Sequence, residues 1–184
     1  MKKIITILLI ALLTSISSYA QDVKKEIEKE KTKMDVFASK TGTIIKFTDY
    51  NLNRIKTSYA SSEARIRKIS SGTSSTYFFQ IVKSGQYSNS TASIEYSDLL
   101  EVIKALSSLK NEVEKDITAN PDYLENKFTT VDGFKVGYLI SKGKVTWYIQ
   151  LEKYGSDNTL FIDKVETIEA SFEEAKNKME ELKK

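Results

Sequence analysis

Two segments of the sequence repeat the same pair of side chains, an aromatic ring followed two residues later by glutamine. The first pair is Phe78 and Gln80, and the second is Tyr148 and Gln150. An aromatic ring offers a surface for stacking, and an amide offers both a hydrogen-bond donor and an acceptor. Such a pair, repeated on a sheet, is typical of a surface that binds a ligand without catalysis. Three further side chains in neighbouring predicted strands would extend that surface: Arg65, Arg67 and Tyr138.

Strand alternation leaves two interpretations of these pairs open. Because successive side chains in a strand point to opposite faces, Phe78 and Gln80 share one face, and Tyr77 and Phe79 share the other, apolar one. If the faces with glutamine are exposed, they bind a ligand or a partner. If the two sheets instead pack on each other, the aromatic rings are core and each glutamine bonds a neighbouring backbone group. Our working hypothesis is binding at these outer faces.

The composition excludes several catalytic mechanisms and several kinds of structural site. The chain has no His and no Cys, which excludes thiol catalysis, disulfides and imidazole acid–base chemistry and leaves a zinc site without its usual ligands. An S-x-x-K string at 107–110 and a K-T-G at 40–42 occur in the reverse of the order found in penicillin-recognising enzymes. No calcium-loop pattern is present. We therefore predict no catalytic activity, no metal site and no cofactor.

A carboxylate-based hydrolase remains as an alternative, because it needs only two acidic side chains at a cleft. Acidic residues near predicted strand ends or turns are the candidates, and the spacing selects no pair among them: Glu95, Asp98, Asp132, Asp157 and Asp163.

The first 20 residues have the pattern of an export signal. Lys2 and Lys3 precede the apolar stretch 4–16, and Ser18 and Ala20 have the small side chains that signal peptidase requires. We predict cleavage between Ala20 and Gln21, which leaves no stable membrane span, and a soluble protein in the periplasm or outside the cell. Removal of this segment leaves 26 basic and 25 acidic residues. That balance argues against nucleic-acid binding driven by bulk charge.

The rest of the chain is predicted to form two successive units, each with several strands followed by a long helix. Residues 21–33 are dense in charge and form an arm or a short helix. The first predicted unit, 34–119, has strands at 43–48, 64–70, 76–83 and 91–95 and a helix at 97–117. The second, 120–184, has strands at 125–131, 134–140, 145–153 and 159–163 and a helix at 167–183. Pro121 marks the boundary.

Apolar stripes along both predicted helices indicate that each packs on a sheet. In the first helix the stripe is Leu99, Ile103, Leu106, Val113 and Ile117. In the second it is Ile168, Phe172, Ala175, Met179 and Leu182. We predict an α+β fold of two tandem ββββα units, in which antiparallel sheets are each covered by a long amphipathic helix.

The two units resemble each other in sequence. Residues 76–85 align without a gap on 146–155, with four identities in ten positions. Ile69-Ser70-Ser71-Gly72 matches Ile140-Ser141-Lys142-Gly143, and Ile94-Glu95 matches Ile162-Asp163. Three matches in the same order predict an internal duplication of about 70 residues.

A doubled unit of four strands and a helix resembles the architecture of the Whirly and PUR proteins, which bind single-stranded nucleic acids. The resemblance lies in the order of elements over about 34–182 and concerns fold more than function. The chain is also similar to small exported bacterial proteins of no assigned function, in the stretches TASIEYSDLLEVIKALSSLK, NPDYLENKFTTVDGF and LEKYGSDNTLF. That second likeness brings no catalytic residues with it.

From these features we expect a non-catalytic binding or interaction module whose partner is an unknown ligand or an envelope protein. A structural envelope protein that forms homo-oligomers through sheet edges or helix stripes is the main alternative. Single-stranded nucleic-acid binding follows only from the likeness in fold, and an exported address argues against it.

Overall fold

The computed structural model describes residues 31–184. The predicted signal peptide, its cleavage site at Ala20 and Gln21, and residues 21–30 of the charged arm lie outside the described residues. The elements, in chain order, are α1 (Lys33–Ala38), β1 (Ile45–Asn51), β2 (Ile55–Lys56), β3 (Ser61–Ser71), β4 (Ser74–Lys83), β5 (Ser90–Glu95), α2 (Tyr96–Thr118), β6 (Tyr123–Thr129), β7 (Lys135–Ser141), β8 (Lys144–Gln150), β9 (Thr159–Ile162) and α3 (Val165–Lys183).

Residues 31–184 form two antiparallel sheets and three helices, which confirms the α+β class. The first sheet has the strand order β1-β3-β4-β5, with the short β2 paired to β3. The second sheet has the order β6-β7-β8-β9. A long helix follows each sheet in the chain. The eight strands and two long helices predicted from the sequence are all present, whereas β2 was not predicted and α1 extends beyond the arm predicted to end at residue 33.

Corresponding hairpins bring the two glutamines to equivalent positions. Ser71 pairs with Ser74, and Ser141 pairs with Lys144, so each hairpin turns over two residues. In the second hairpin, Lys142 and Gly143 have positive φ angles of 50° and 72°, as a tight turn of this kind requires. The paired residues of β3 and β4 map onto those of β7 and β8 with a constant offset of 70 in residue number.

Both helices bury apolar stripes in a shared core. On α3 the predicted stripe is correct, since Ile168, Phe172, Ala175 and Met179 are buried and Leu182 is half-buried. On α2 the stripe is rotated from the predicted one. The buried apolar residues of α2 are Leu99, Val102, Leu106 and Leu109, whereas Ile103 and Val113 are half-buried and Ile117 is exposed.

The prediction that each helix covers its own sheet is not confirmed, because both long helices contact both sheets. α2 lies against β6 and β7 of the second sheet as well as β4 and β5 of the first. α3 contacts β2 and β3 of the first sheet and β9 of the second, and it packs along α2. The Phe172 ring of α3 makes edge contacts with Phe79 and Phe134, one from each half. The inner faces of the two sheets therefore share one core.

The segment before β1 crosses the outer face of the first sheet. At α1, Met34 Sδ lies 3.4 Å from Gln80 Nε2 on β4. β1 is the edge strand at the far side of the sheet from β5, and it begins at Ile45, which pairs with Ser71 of β3. Residues 33–44, which we call the N-terminal strap, thus run from β5 to β1. Phe78, on the same outer face, is only 1% exposed although it lies outside the main core.

Candidate functional site

Most of the residues predicted to bind a ligand lie on the outer faces of the two sheets. The first-sheet face comprises the outward side chains of Phe47, Asp49, Arg65, Arg67, Ile69, Phe78, Gln80, Ser93 and Glu95. The second-sheet face comprises those of Tyr123, Glu125, Lys127, Lys135, Leu139, Thr146, Tyr148, Gln150 and Phe161.

A chain of hydrogen bonds crosses the first-sheet face from strand to strand. The Arg67 guanidinium donates two bonds of 2.7 Å to Asp49, and Arg65 lies 3.5 Å from the same carboxylate. Arg65 Nε donates to Gln80 Oε1 at 3.0 Å, and Gln80 Nε2 donates to Ser93 Oγ at 2.9 Å. The side-chain bond with Arg67 holds the pKa of Asp49 below its usual value. These polar groups therefore form hydrogen bonds and ion pairs with one another within the protein.

The N-terminal strap lies over Gln80 in this chain of hydrogen bonds. Gln80 is 1% exposed beneath Met34, so its amide is not available at the surface. Lys33 fastens the strap at two points: its Nζ lies 2.6 Å from Asp98 Oδ1, and its backbone N–H donates to the Asp132 carboxylate at 3.0 Å. The expectation of an open platform around Phe78 and Gln80 is therefore wrong for this arrangement of the chain. The alternative, that the two sheets pack on each other through these faces, is also not what is found.

The second-sheet face has a different centre. Tyr148 pairs with Gly137, which has no side chain, and the tyrosine hydroxyl donates to Glu125 on the far side of β7. The Tyr148 ring must therefore cross above Gly137, where it is 4% exposed. Burial, reinforced by the bond to Glu125, raises the pKa of Tyr148. The bonds with Lys127 and Tyr148 lower the pKa of Glu125.

Gln150 occupies the position equivalent to Gln80 and is half-buried. Its Oε1 accepts a bond of 3.1 Å from Lys135 Nζ, as Gln80 Oε1 does from Arg65, and its Nε2 donates to the Glu152 carbonyl at 3.2 Å. The contact is thus the same in kind on both sheets: an amide oxygen accepts a hydrogen bond from a cation on the adjacent strand. Only on the second sheet does the amide remain partly accessible.

Two aromatic rings on the second-sheet face are exposed, Tyr123 at 62% and Phe161 at 55%. The register and the strand spacing place them about 20 Å apart on opposite edge strands, with Tyr148 between them. Sequence analysis did not select either residue. The signal for Phe161 was present, since it alternates with Leu160 and Ile162, which are both buried in the core.

The structure corrects the assignment of Tyr138 to the binding surface. Tyr138 pairs with Trp147 on the inner face of the second sheet and is fully buried in the core. Its hydroxyl donates to Asp116 of α2 and accepts a bond of 3.2 Å from Asn126. Burial and the bond to Asp116 raise the pKa of Tyr138 to about 12. Tyr138 therefore anchors α2 to the second sheet and does not extend the outer face.

Gly137 is required by the close approach of β6 beneath Tyr148. A Cβ atom at this position would lie 2.3 Å from the Asn126 carbonyl oxygen and 2.8 Å from Lys127 Cβ. We expect Gly137→Ala to lower the free energy of unfolding by about 1–3 kcal/mol, because backbone has to move. Thermal or urea unfolding measures this, with Thr146→Ala on the same face as the control. Equal stability of the two variants would contradict the close approach.

The acidic candidates for a hydrolase each bind another group of the protein. Glu95 caps α2 at Ser97, Asp157 binds Lys83, and Asp163 accepts two bonds from Ser58. Asp98 and Asp132 both bind Lys33, and burial raises the pKa of Asp132. In the S-x-x-K string, Lys110 binds Glu169 rather than Ser107.

Residues 31–184 contain no group of three or more acidic side chains placed to hold a metal ion. Over the same range, no helix has the length and apolar character needed to cross a membrane.

An open groove of about 360 Å³ lies between β2 and α3. At this groove, Glu174 Oε1 accepts hydrogen bonds from the backbone and side chain of Asn53, and Arg54 binds Ser61. The Ser171 hydroxyl is buried here without a partner. This hydroxyl is inaccessible to solvent, and the other polar groups bind each other. The groove therefore has fewer accessible hydrogen-bonding groups for a ligand than the second-sheet face has.

Comparisons with protein families, with characterised proteins and with solved structures give no match to this chain. The likeness to Whirly and PUR proteins thus remains a prediction from the order of elements.

Proposed function

We propose that this protein is an exported, non-catalytic binding module that uses the second-sheet face to hold a ligand or an envelope partner. The observation that carries the proposal is the pair of exposed rings, Tyr123 and Phe161, on either side of a Tyr148 ring that is fixed in place. Because Tyr148 is buried and held by its bond to Glu125, the surface between the two exposed rings is already ordered and loses little conformational entropy when a ligand binds. Exposed aromatic side chains around it are typical of binding surfaces rather than of a solvated sheet.

The arrangement favours an extended ligand. The two exposed rings are about 20 Å apart, which is longer than most small metabolites and suits a polymer chain or a protein segment. One row beyond Phe161 and Tyr148, the half-buried Gln150 and Lys135 offer an amide and an ammonium group for hydrogen bonding. The face therefore combines apolar contact with a few polar groups, as ligand sites generally do.

The tandem ββββα organisation gives this proposal a rationale. We infer that the two halves arose by duplication, which is supported by the constant offset of 70 residues between their central hairpins. In the first half, the strap occupies the outer face. In the second half, α2 is bonded through Asp116 to Tyr138 on the inner face, and the outer face is the one that we assign to binding.

Native mass spectrometry tests the proposal on protein recovered gently from the envelope fraction of its own host. We expect wild type to retain additional mass, and we expect the Tyr123→Ala/Phe161→Ala variant to lose it, because the apolar contacts at both ends of the face are removed. The matched control is Tyr59→Ala/Tyr87→Ala, which removes two rings that are each 93% exposed elsewhere.

Retention of the same mass by the Tyr123→Ala/Phe161→Ala variant would contradict the assignment of the face. Wild-type protein without added mass would contradict the binding function. The same spectra give the mass of the mature chain, which is expected to begin at Gln21.

A further inference from the structure

The second sheet ends in a long free edge. β6 runs for seven residues, about 24 Å, and pairs on one side with β7. Within residues 31–184 no strand pairs with its other side. A free edge of this length presents a row of backbone donors and acceptors that can pair with another strand.

The sequence of β6 is complementary to itself when two copies run antiparallel about Asn126. Glu125 of one chain then lies opposite Lys127 of the other, and the reverse pair forms by symmetry. On the opposite side of the strand, Leu124 lies opposite Phe128. Opposite charges and apolar pairs placed directly across from each other both stabilise antiparallel strands. Both kinds of pair are thus matched in a single register.

The backbone is oriented for this register. The Asn126 carbonyl points towards β7, where its oxygen would clash with a Cβ atom at Gly137. Because successive peptide groups in a strand point to opposite sides, the backbone groups of Glu125 and Lys127 point to the free edge. In the self-paired register these two residues would exchange both of their backbone hydrogen bonds with each other across the two-fold axis.

The other edge strands lack this complementarity. In β1, pairing about the central Thr48 would place Phe47 opposite Asp49 and Lys46 opposite Tyr50. β5 has a single charged residue, Glu95, and β9 has four residues and no charge. Only β6, among the strands described, matches opposite charges across a two-fold axis.

We propose that β6 is a homodimer interface, in which two chains pair antiparallel about Asn126 to form a continuous eight-stranded sheet. A two-fold axis perpendicular to the sheet keeps the outer sides of both copies on the same side. The dimer would therefore join two second-sheet faces into one surface. This inference does not rest on the proposed function, but it would make that surface bivalent for an extended ligand.

Charge swapping at β6 tests the interface. Lys127→Glu places two carboxylates opposite each other, and Glu125→Lys places two ammonium groups opposite each other. We expect either change to weaken dimerisation about tenfold to a hundredfold, since each alters two symmetric pairs. Glu125→Lys/Lys127→Glu restores opposite charges and is expected to restore the dimer. Lys46→Glu, on the edge strand β1, is the matched control and should leave association unchanged.

Sedimentation velocity of the mature chain over about 10–500 µM measures the association, because a paired edge of seven residues is a small interface of modest affinity. Thermal unfolding of each variant checks that the fold survives the loss of the bond between Glu125 and Tyr148. A monomeric wild type over this range would overturn the proposal. So would folded single variants that dimerise as well as wild type, or a folded double variant that stays monomeric.

Disulfide trapping offers a second measurement that does not depend on charge. The chain has no Cys, so Asn126→Cys introduces a single thiol at the two-fold axis. Cβ atoms across such a pair are about 4.5–5.5 Å apart, a distance from which a disulfide can form after a small adjustment. Mild oxidation should therefore yield a covalent dimer. Thr48→Cys, at the centre of β1, should yield much less, and equal yields from the two variants would count against the interface. Loss of bound mass on native spectra tests the binding function separately.

Discussion

Replacement of Phe172 by alanine is expected to lower the free energy of unfolding by about 3–5 kcal/mol. Phe172 is 1% exposed, and its ring centroid lies 5.6 Å from that of Phe79 and 5.9 Å from that of Phe134. The Phe172 ring packs between Phe79 of the first half and Phe134 of the second. Its truncation to alanine therefore leaves a cavity at the centre of the shared core. Urea unfolding followed by tryptophan fluorescence measures the loss, since the single Trp147 lies in the same core.

Phe161→Ala is the matched control for this change. The same side chain is removed at a site that is 55% exposed, so the loss is expected to stay within about 0.5 kcal/mol. If Phe172→Ala destabilised the protein no more than Phe161→Ala did, the shared core would be refuted. Separate unfolding of the two halves, seen as two transitions, would also contradict it, because a common core predicts one cooperative transition.

The elements of this fold were predictable because local patterns determine them. In β4, Tyr77, Phe79 and Ile81 alternate with Phe78 and Gln80, and that period of two specifies a strand whatever lies around it. On α3 the spacing of Ile168, Phe172, Ala175 and Met179 likewise specifies both a helix and its buried side. Neither inference needs knowledge of the partner element.

Which sheet each helix covers could not be predicted, because an apolar stripe records that a face is buried but not what buries it. α2 has an apolar face that suits either sheet, and it contacts both. The face of Tyr138 was missed for a related reason. Its hydroxyl made it a plausible surface residue, whereas bonds to Asp116 and Asn126 allow it to be buried at no cost in lost hydrogen bonds. Asp116 lies on α2 and Asn126 lies on β6, so local sequence around Tyr138 does not reveal either partner.

The strap explains why two equivalent outer faces differ. Its residues carry a weak signal, since α1 has six residues and none of them is buried. It is placed by contacts far along the chain, in which Lys33 binds Asp98 and Asp132. No local pattern encodes such contacts. As a result Gln80 is buried beneath Met34, whereas the equivalent Gln150 is only half-buried.

Replacement of Phe78 by alanine is therefore expected to behave as a core substitution, with a loss of about 3–5 kcal/mol in the free energy of unfolding. Phe78 is 1% exposed and lies on the outer face where Met34 of the strap contacts Gln80. An aromatic ring on an open platform would give the other result, in which alanine removes binding while stability is largely kept. Urea unfolding distinguishes the two, and Phe47→Ala on the same face is the control, because that ring is 49% exposed.

A variant of Lys33 tests how much of the burial of Phe78 is due to the strap and how much to the sheet itself. Lys33→Ala removes the ammonium group that binds Asp98 but leaves every side chain of the first-sheet face in place. If the strap buries Phe78, amide hydrogen exchange in residues 33–44 should accelerate in Lys33→Ala, and Phe78→Ala should cost less in that background than in wild type. Additive losses would show that Phe78 is buried independently of the strap. Coupled losses would mean that the first-sheet face has the aromatic–glutamine pair of a binding surface but uses it to hold the protein's own N-terminal segment.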